Sequence, residues 1–263
     1  FWGGSPSSDQ GGTGVTLIKF VQISDSHLFP EPRSCLSGVD TRQSFLNVIR
    51  HIQTNHSDCQ FLLHTGDLAQ VPVVSVYRWF LGQMGVSGMP CYCLPGNHDD
   101  PAMMRHALDH SPVHFQGCMD VGGWRLIMLS SMQYGSPNGR LNQVEMDRLR
   151  HHLEQANDRH VLVILHHHPI PSRSEWMDAM MLENSEDFMC CIGRHPQVKG
   201  VLFGHVHQAM DCHHLGVRFL SAPATCFQFK PRTRSFQLDS LTAGYRWFCL
   251  HADGRIETDV EYL

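Results

Sequence analysis

The sequence predicts an α/β fold whose last third is strand-rich. Two observations carry this. Through the first two thirds, short apolar runs alternate with stretches of helical periodicity; after residue 207 the pattern changes to strands parted by turns. A third observation places the chemistry: the apolar runs stop at short polar motifs. These are Asp25-Ser26-His27, Gly66-Asp67, Gly96-Asn97-His98-Asp99, His166-His167-His168 and Gly204-His205-Val206-His207.

Residues 1–14 (FWGGSPSSDQGGTG) are rich in Gly and Ser and lack periodicity, so a flexible segment is expected ahead of a single domain over residues 15–263. Gly11-Gly12-Thr13-Gly14 resembles a phosphate loop only in composition, because it precedes a strand where such a loop would follow one. Residues 17–23 alternate and are rich in branched side chains, which predicts a strand. Phe45, Val48, Ile49 and Ile52 share one helical face, so residues 42–54 read as a helix returning to the strand Phe61-Leu62-Leu63. A second helix over 73–84 leads to a strand at Cys91-Tyr92-Cys93, with both cysteines on one face as small apolar filling. Gly96 frees the backbone to present Asn97 and His98 at the strand end, and Pro101 suits a helix start. Residues 124–129 and 161–165 read as strands around a helix over 142–156. The stretches 217–220, 245–251 and 256–262 read as a meander with Asp253-Gly254 as a hairpin turn.

Length and composition narrow the function. A chain of 263 residues with 42% hydrophobic content can bury one sizeable core. A formal charge of −5 and the lack of a Lys/Arg block argue against long nucleic acid as a partner. No run approaches the roughly 20 apolar residues that span a bilayer, so no membrane partner is expected. Ten cysteines without zinc-ribbon spacing or a secretory segment suggest free thiols in a reducing cytoplasm. Of the twenty histidines, His51, His56, His151 and His152 lie in polar, helix-like stretches and are expected to be solvated.

In open α/β sheets ligands bind past the carboxyl ends of the strands, where all five motifs fall. The candidates are Asp25, His27, Asp67, Asn97, His98, His166, His205 and His207. Two carboxylates, an amide and several imidazoles, with no thiolate, suit divalent ions such as Mn, Fe or Zn rather than a structural zinc. Seven ligands exceed the needs of one catalytic ion but fit two sharing a carboxylate, for which Asp67 is the candidate. Such a pair acidifies a bound water toward a pKa of about 7 and directs the resulting hydroxide at a phosphate ester. His98, beside the site, is placed to protonate the leaving alkoxide. Adjacent residues leaving a strand diverge, so one of His166, His167 and His168 is expected to be a ligand; the other two pack or support it. Asp99 is expected to orient His98 or cap the next helix. Lys230 could neutralise phosphate and Phe227 or Phe229 stack on a base, against the plainer readings of surface lysine and core aromatics.

Taken in order, Asp-x-His, Gly-Asp, Gly-Asn-His-Asp, the His before His-His-Pro and Gly-His-x-His resemble the signature of calcineurin-like metallophosphoesterases. Within them the chain is most similar to bacterial class III 3′,5′-cyclic AMP phosphodiesterases, over about residues 17–262. That narrower likeness includes Gly66-Asp67-Leu68-Ala69-Gln70 and Thr225-Cys226-Phe227-Gln228-Phe229-Lys230-Pro231. The resemblance implies a four-layer α/β/β/α sandwich of two mixed sheets. It implies one ion on Asp25, His27, Asp67 and His207, another on Asp67, Asn97, His166 and His205, and His166 as the ligand of its triplet. It also implies that His27, Asp67, Asn97 and His98 meet the phosphate of a cyclic nucleotide, with Asp67, Asn97 and His98 serving catalysis. Monomer and dimer both stay open. Purple acid phosphatases carry a ligand tyrosine where Gln70 stands, so a tyrosinate-bound ferric ion is not expected. Ser130-Ser131 departs from the Asp-Ser pair of the nearer group, which bears on loop geometry and substrate preference. Two further readings are a phosphodiesterase or phosphomonoesterase of broader specificity and a binding scaffold that has lost catalysis. All seven ligand positions are filled, which tells against the scaffold.

Overall fold

The computed structural model describes residues 17–108, 110–115 and 117–263, so the segment 1–14 lies outside the described residues. Two six-stranded mixed sheets form the centre. The first runs Ile256–Tyr262, Gly244–Leu250, Ile18–Ile23, Phe61–His64, Cys91–Cys93, Val113–His114. The second runs Asp211–His214, Val217–Ser221, Val198–Phe203, His160–Ile164, Trp124–Met128, Cys118–Val121. Between the sheets lies an apolar layer including Phe20, Leu63, Trp124, Leu126, Leu162, Leu202 and Phe248. Pairing register puts Phe20 opposite both Phe61 and Phe248, and the three rings stack at centroid distances of 5.0 and 4.7 Å.

Helices close both outer faces, so the expected α/β/β/α layering is present. Thr41–Asn55, Val74–Ser87 and Pro101–Leu108 cover the first sheet, with Phe45, Val48, Ile52, Val76, Phe80 and Met104 in its core. The first of these helices begins where Asp40 accepts a bond from the Gln43 N–H at 3.0 Å. The second ends at Gly88, whose φ of +71° a β-carbon would oppose. Gln143–Glu154, capped by Asn142, and Ser185–Ile192 cover the second sheet through Met146, Leu149, Leu153, Phe188 and Ile192. Fully burying such a side chain is worth about 1.5–3 kcal/mol, which is why these faces, rather than helix propensity, hold the layers together. Among the described residues no helix is long and apolar enough to cross a membrane.

Two expectations need correction. The last three predicted strands are not one meander: Val217–Ser221 joins the second sheet beside Val198–Phe203, while Gly244–Leu250 and Ile256–Tyr262 extend the first. Only the last two form a hairpin, turning at Gly254 with φ +88°. His51 and His56 are half-buried rather than solvated. His51 Nδ1 lies 2.9 Å from the Tyr245 hydroxyl, and His56 Nε2 lies 2.7 Å from Glu261 Oε1.

Candidate metal centre

Five parallel strands end on one rim, and each hands its next residues to the site: Ile23 to Asp25 and His27, His64 to Asp67, Cys93 to Asn97, Ile164 to His166, Phe203 to His205 and His207. The backbone there is strained. Asp25 (φ +53°), His27 (+45°), Asp67 (+53°), His205 (+68°) and His207 (+44°) all occupy the left-handed region that side chains avoid. Strain of this kind costs about 1–3 kcal/mol per residue and persists where a site requires it.

Two glycines make the convergence possible. A β-carbon on Gly96 would lie 2.1 Å from Asp67 Oδ1 and 2.3 Å from the Asp67 nitrogen. One on Gly66 would lie 2.5 Å from His166 Nδ1. The Gly-Asn-His-Asp turn is pinned further by Asp99, which accepts bonds from the N–H groups of Leu68 (3.0 Å), Ala69 (2.9 Å) and Gly96 (3.0 Å) and from the Tyr77 hydroxyl (3.2 Å). Asp99 thus ties the loop bearing Asp67 to the loop bearing Asn97. It neither caps the next helix nor bonds the His98 ring; Asp100 takes the capping role by accepting from the Met103 N–H at 2.8 Å.

The side chains expected as ligands lie close together at the strand ends. Asp25, His27 and His207 offer donor atoms within 4.8 Å of one another, as do Asp25, Asp67 and His166, and also His27, Asp67 and His98. Asp67 Oδ2 lies 3.8 Å from His27 Nε2 and 3.4 Å from His166 Nε2, so this one carboxylate faces both sets. Asn97 Oδ1 is 3.1 Å from His166 Nε2, and the His205 ring lies 5.0 Å from that of His166.

The donor chemistry fits cations. His166 Nδ1 donates to the Thr65 carbonyl at 2.8 Å, which leaves Nε2 facing Asn97 Oδ1 and Asp67 Oδ2, two oxygens that accept. His207 Nδ1 likewise donates to the Phe227 carbonyl at 2.8 Å, leaving Nε2 to face Asp25 Oδ1 at 3.5 Å and His27 Nε2 at 3.2 Å. Acceptors opposed in a dry pocket call for positive charge between them.

Electrostatics agree. Burial pulls His27 down to about 4 and holds His205 and His207 well below the ordinary imidazole value, so all three rings are neutral at pH 7. Burial opposes the charge on Asp67, but His166, His27 and His98 around it hold its carboxyl well below the usual range. Burial lifts Asp25 to about 7, opposed by His166 and reinforced by Asp67. His166 is itself pulled down by burial, yet Asp67 and Asp25 raise it to about 9.

Around this centre, Phe229 stacks on the His207 ring at 4.0 Å and 14°, and is wedged against Trp176 and Phe236. Phe227 is buried and Lys230 exposed. Phe229 thus shows the packing that was the plainer of its two readings, and its contact with His207 was not evident from the order of residues alone. Ser131, the second residue of the unexpected Ser-Ser pair, lies 2.8 Å from His167 Nδ1. His168 faces Asp178 at 3.4 Å. A cavity of about 930 Å³ reaches His207 and is lined by Gln208, Met210, Phe229, Arg173 and Arg232.

Comparison with known proteins places this centre in a wider group. Residues 18–209 match the family described as Calcineurin-like phosphoesterase. The chain is 38% identical over 247 residues to a 3′,5′-cyclic adenosine monophosphate phosphodiesterase CpdA of Vibrio vulnificus, covering 94% of this chain and 90% of that protein. The CpdA of Escherichia coli K12 is 36% identical over 251 residues, covering 95% and 91%. A dimetal phosphatase from Danio rerio shares the fold at TM-score 0.61 and 12% identity, covering 92% and 98%. A purple acid phosphatase from yellow lupin does so at 0.63 and 14%, covering 94% of this chain and 54% of that one. With the family matched over residues 18–209 and relatives 36–38% identical along nearly the whole chain, the chain belongs to the calcineurin-like phosphoesterases.

Proposed function

We propose that this protein is a metal-dependent phosphodiesterase that hydrolyses 3′,5′-cyclic AMP to 5′-AMP. The observation that carries the reading is Asp67, a single buried carboxylate facing both imidazole clusters, at 3.8 Å from His27 and 3.4 Å from His166. On this reading Asp25, His27, Asp67 and His207 hold one divalent ion, and Asp67, Asn97, His166 and His205 hold a second. The imidazole-rich set suits Mn, Fe or Zn. Bound there, the pair supplies Lewis acidity, polarising the phosphoryl group and activating water for in-line attack.

The protein's own groups do the rest. The His98 backbone N–H donates to Asp67 Oδ1 at 2.8 Å, which fixes the carboxylate and sets the half-buried His98 ring edge-on to His27 at 5.0 Å. From there His98 delivers a proton to the departing O3′ alkoxide. Asn97, whose Oδ1 is turned toward His166, keeps its amide N–H groups for a phosphate oxygen. His27 and Asp67 border the same phosphate. The cavity beside His207 has room for a nucleoside. The buried thiols of Cys91 and Cys226 fit a reducing cytoplasm, where we place the enzyme.

The test is a substrate panel on protein reconstituted separately with Mn, Fe and Zn: 3′,5′-cyclic AMP, 2′,3′-cyclic nucleotides and aryl phosphates at equal concentration. Turnover should be highest on 3′,5′-cyclic AMP, and His98→Ala should lower it by about 10²–10⁴ with the fold retained. Preference for aryl phosphates, or full activity in both His98→Ala and Asn97→Ala, overturns the assignment.

A further inference from the structure

We propose that Gln208 reads the base of the substrate: its side-chain amide pairs with the N6 and N7 edge of adenine and so sets 3′,5′-cyclic AMP above 3′,5′-cyclic GMP. The inference rests on the phosphodiesterase reading above and names the group that selects the nucleotide.

Gln208 follows directly on His207, and two observations meet at it. It lines the cavity of about 930 Å³ that reaches His207. It is also only 8% exposed, and its Nε2 is buried without a hydrogen-bond partner. Other buried side chains carry an atom without a partner, His27, His64 and His168 among them, but those residues do not line this cavity. Among the described residues Gln208 alone has both properties.

A second glutamine on the same wall shows the alternative. Gln228 is 1% exposed, yet its amide is fully used: Oε1 accepts from the Ala224 N–H at 2.9 Å, and Nε2 donates to the carbonyls of Ala224 and Thr242, each at 2.9 Å. Around Gln208 it is the main chain that is held. Its carbonyl accepts from the Ser221 hydroxyl, whose oxygen accepts the Met210 N–H at 2.8 Å, and the buried Arg246 donates to the Met210 carbonyl at 3.1 Å. The backbone is thus fixed beside His207, while the amide at the end of the side chain is left for a partner from outside the fold. A buried amide without a partner costs stability, so its presence on a cavity wall points to a ligand that completes it.

Chemistry narrows that ligand. An amide offers a donor and an acceptor side by side, and a half-turn about its last bond exchanges them. Adenine presents the matching pair, the N6 amino group as donor and N7 as acceptor. Guanine presents two acceptors, O6 and N7, so the amide oxygen would oppose O6. Ile170, Met210 and Phe229 on the same wall supply apolar surface for the faces of a flat ring.

The experiment measures kcat and KM of metal-loaded wild type and Gln208→Leu on 3′,5′-cyclic AMP, 3′,5′-cyclic GMP and the 7-deaza analogue of cyclic AMP, which lacks the N7 acceptor. Wild type should favour cyclic AMP over cyclic GMP by about 10–100-fold in kcat/KM, the range that one such bidentate pair brings. It should also turn over the 7-deaza analogue less well than cyclic AMP, through a higher KM. Gln208→Leu should bring the cyclic AMP to cyclic GMP ratio near one, with the loss on cyclic AMP falling on KM, and should no longer separate cyclic AMP from its 7-deaza analogue. A preference retained in Gln208→Leu overturns the proposal, and so does a wild type that treats the 7-deaza analogue as it treats cyclic AMP. The second result needs no variant, so it decides even where Gln208→Leu does not fold. A wild type that turns over neither cyclic nucleotide with any of the metals sinks the phosphodiesterase reading and this inference together, whereas an error about Gln208 alone leaves cyclic nucleotide hydrolysis in place.

Discussion

Replacing Asp99 with alanine should destabilise the fold before it touches any ligand. The side chain is 3% exposed and accepts from three backbone N–H groups and a tyrosine hydroxyl. Its carboxyl is pushed up to about 6 by burial and by Asp67 nearby, against the pull of those same N–H groups. Each buried donor left without an acceptor costs about 1–3 kcal/mol, so three orphaned N–H groups amount to about 4 kcal/mol after water enters the space. For a domain of this size each kcal/mol moves the midpoint by about 2–4 °C, which gives a fall of roughly 8–16 °C. Asp99→Asn keeps one acceptor oxygen and opposes an N–H with its amide, so it should lie between. Thermal unfolding of metal-free protein followed by circular dichroism reads this directly. A midpoint within about 2 °C of wild type in Asp99→Ala would show that the two loops are held by something else, and the bracing argument would fall.

Two other outcomes follow from the same geometry. Gly96→Ala drives a methyl group onto the Asp67 carboxylate, so metal content after reconstitution, read by elemental analysis, should drop below one ion per chain even where the fold survives. Glu261 gives a pH dependence: burial raises its carboxyl, but hydrogen bonds from Tyr245 (2.7 Å) and His56 (2.7 Å) bring it below the ordinary 4.5. A depressed carboxylate contributes stability that is complete above its unfolded value and is lost as pH falls through the folded one. The melting-temperature gap between wild type and Glu261→Gln should therefore be full at about pH 6 and close on acidification below about 4.5.

What was legible in the sequence was local. An apolar run followed within three residues by Asp, Asn or His is a strand end carrying a donor, and the five motifs needed no partner strand to be recognised. One helix followed from Phe45, Val48, Ile49 and Ile52 at helical spacing, and the side chains of the five motifs lie close together at the strand ends. What was not legible depended on pairing across the chain. Val217–Ser221 and Gly244–Leu250 look alike as strands, yet they sit in different sheets because one finds Val198–Phe203 and the other Ile18–Ile23. His51 and His56 looked solvated because Tyr245 and Glu261 lie about 190 to 205 residues away in sequence. Asp99 looked like a helix cap because two of its partners, the Leu68 and Ala69 N–H groups, belong to another loop. The ring of Phe229 looked available to a base because nothing local showed it lying on His207.

The strand Gly244–Leu250 supplies no donor to the pocket, yet it is the antiparallel neighbour of Ile18–Ile23, whose end presents Asp25 and His27. During synthesis that first strand waits, with one edge uncovered, until some 230 further residues have left the ribosome. A nascent chain halted after the last histidine of the pocket would own every ligand and still lack the wall that holds two of them in place. Loading with cations therefore follows the pairing of this strand, and a stop before residue 244 should leave an exposed edge prone to aggregation rather than a weakened catalyst.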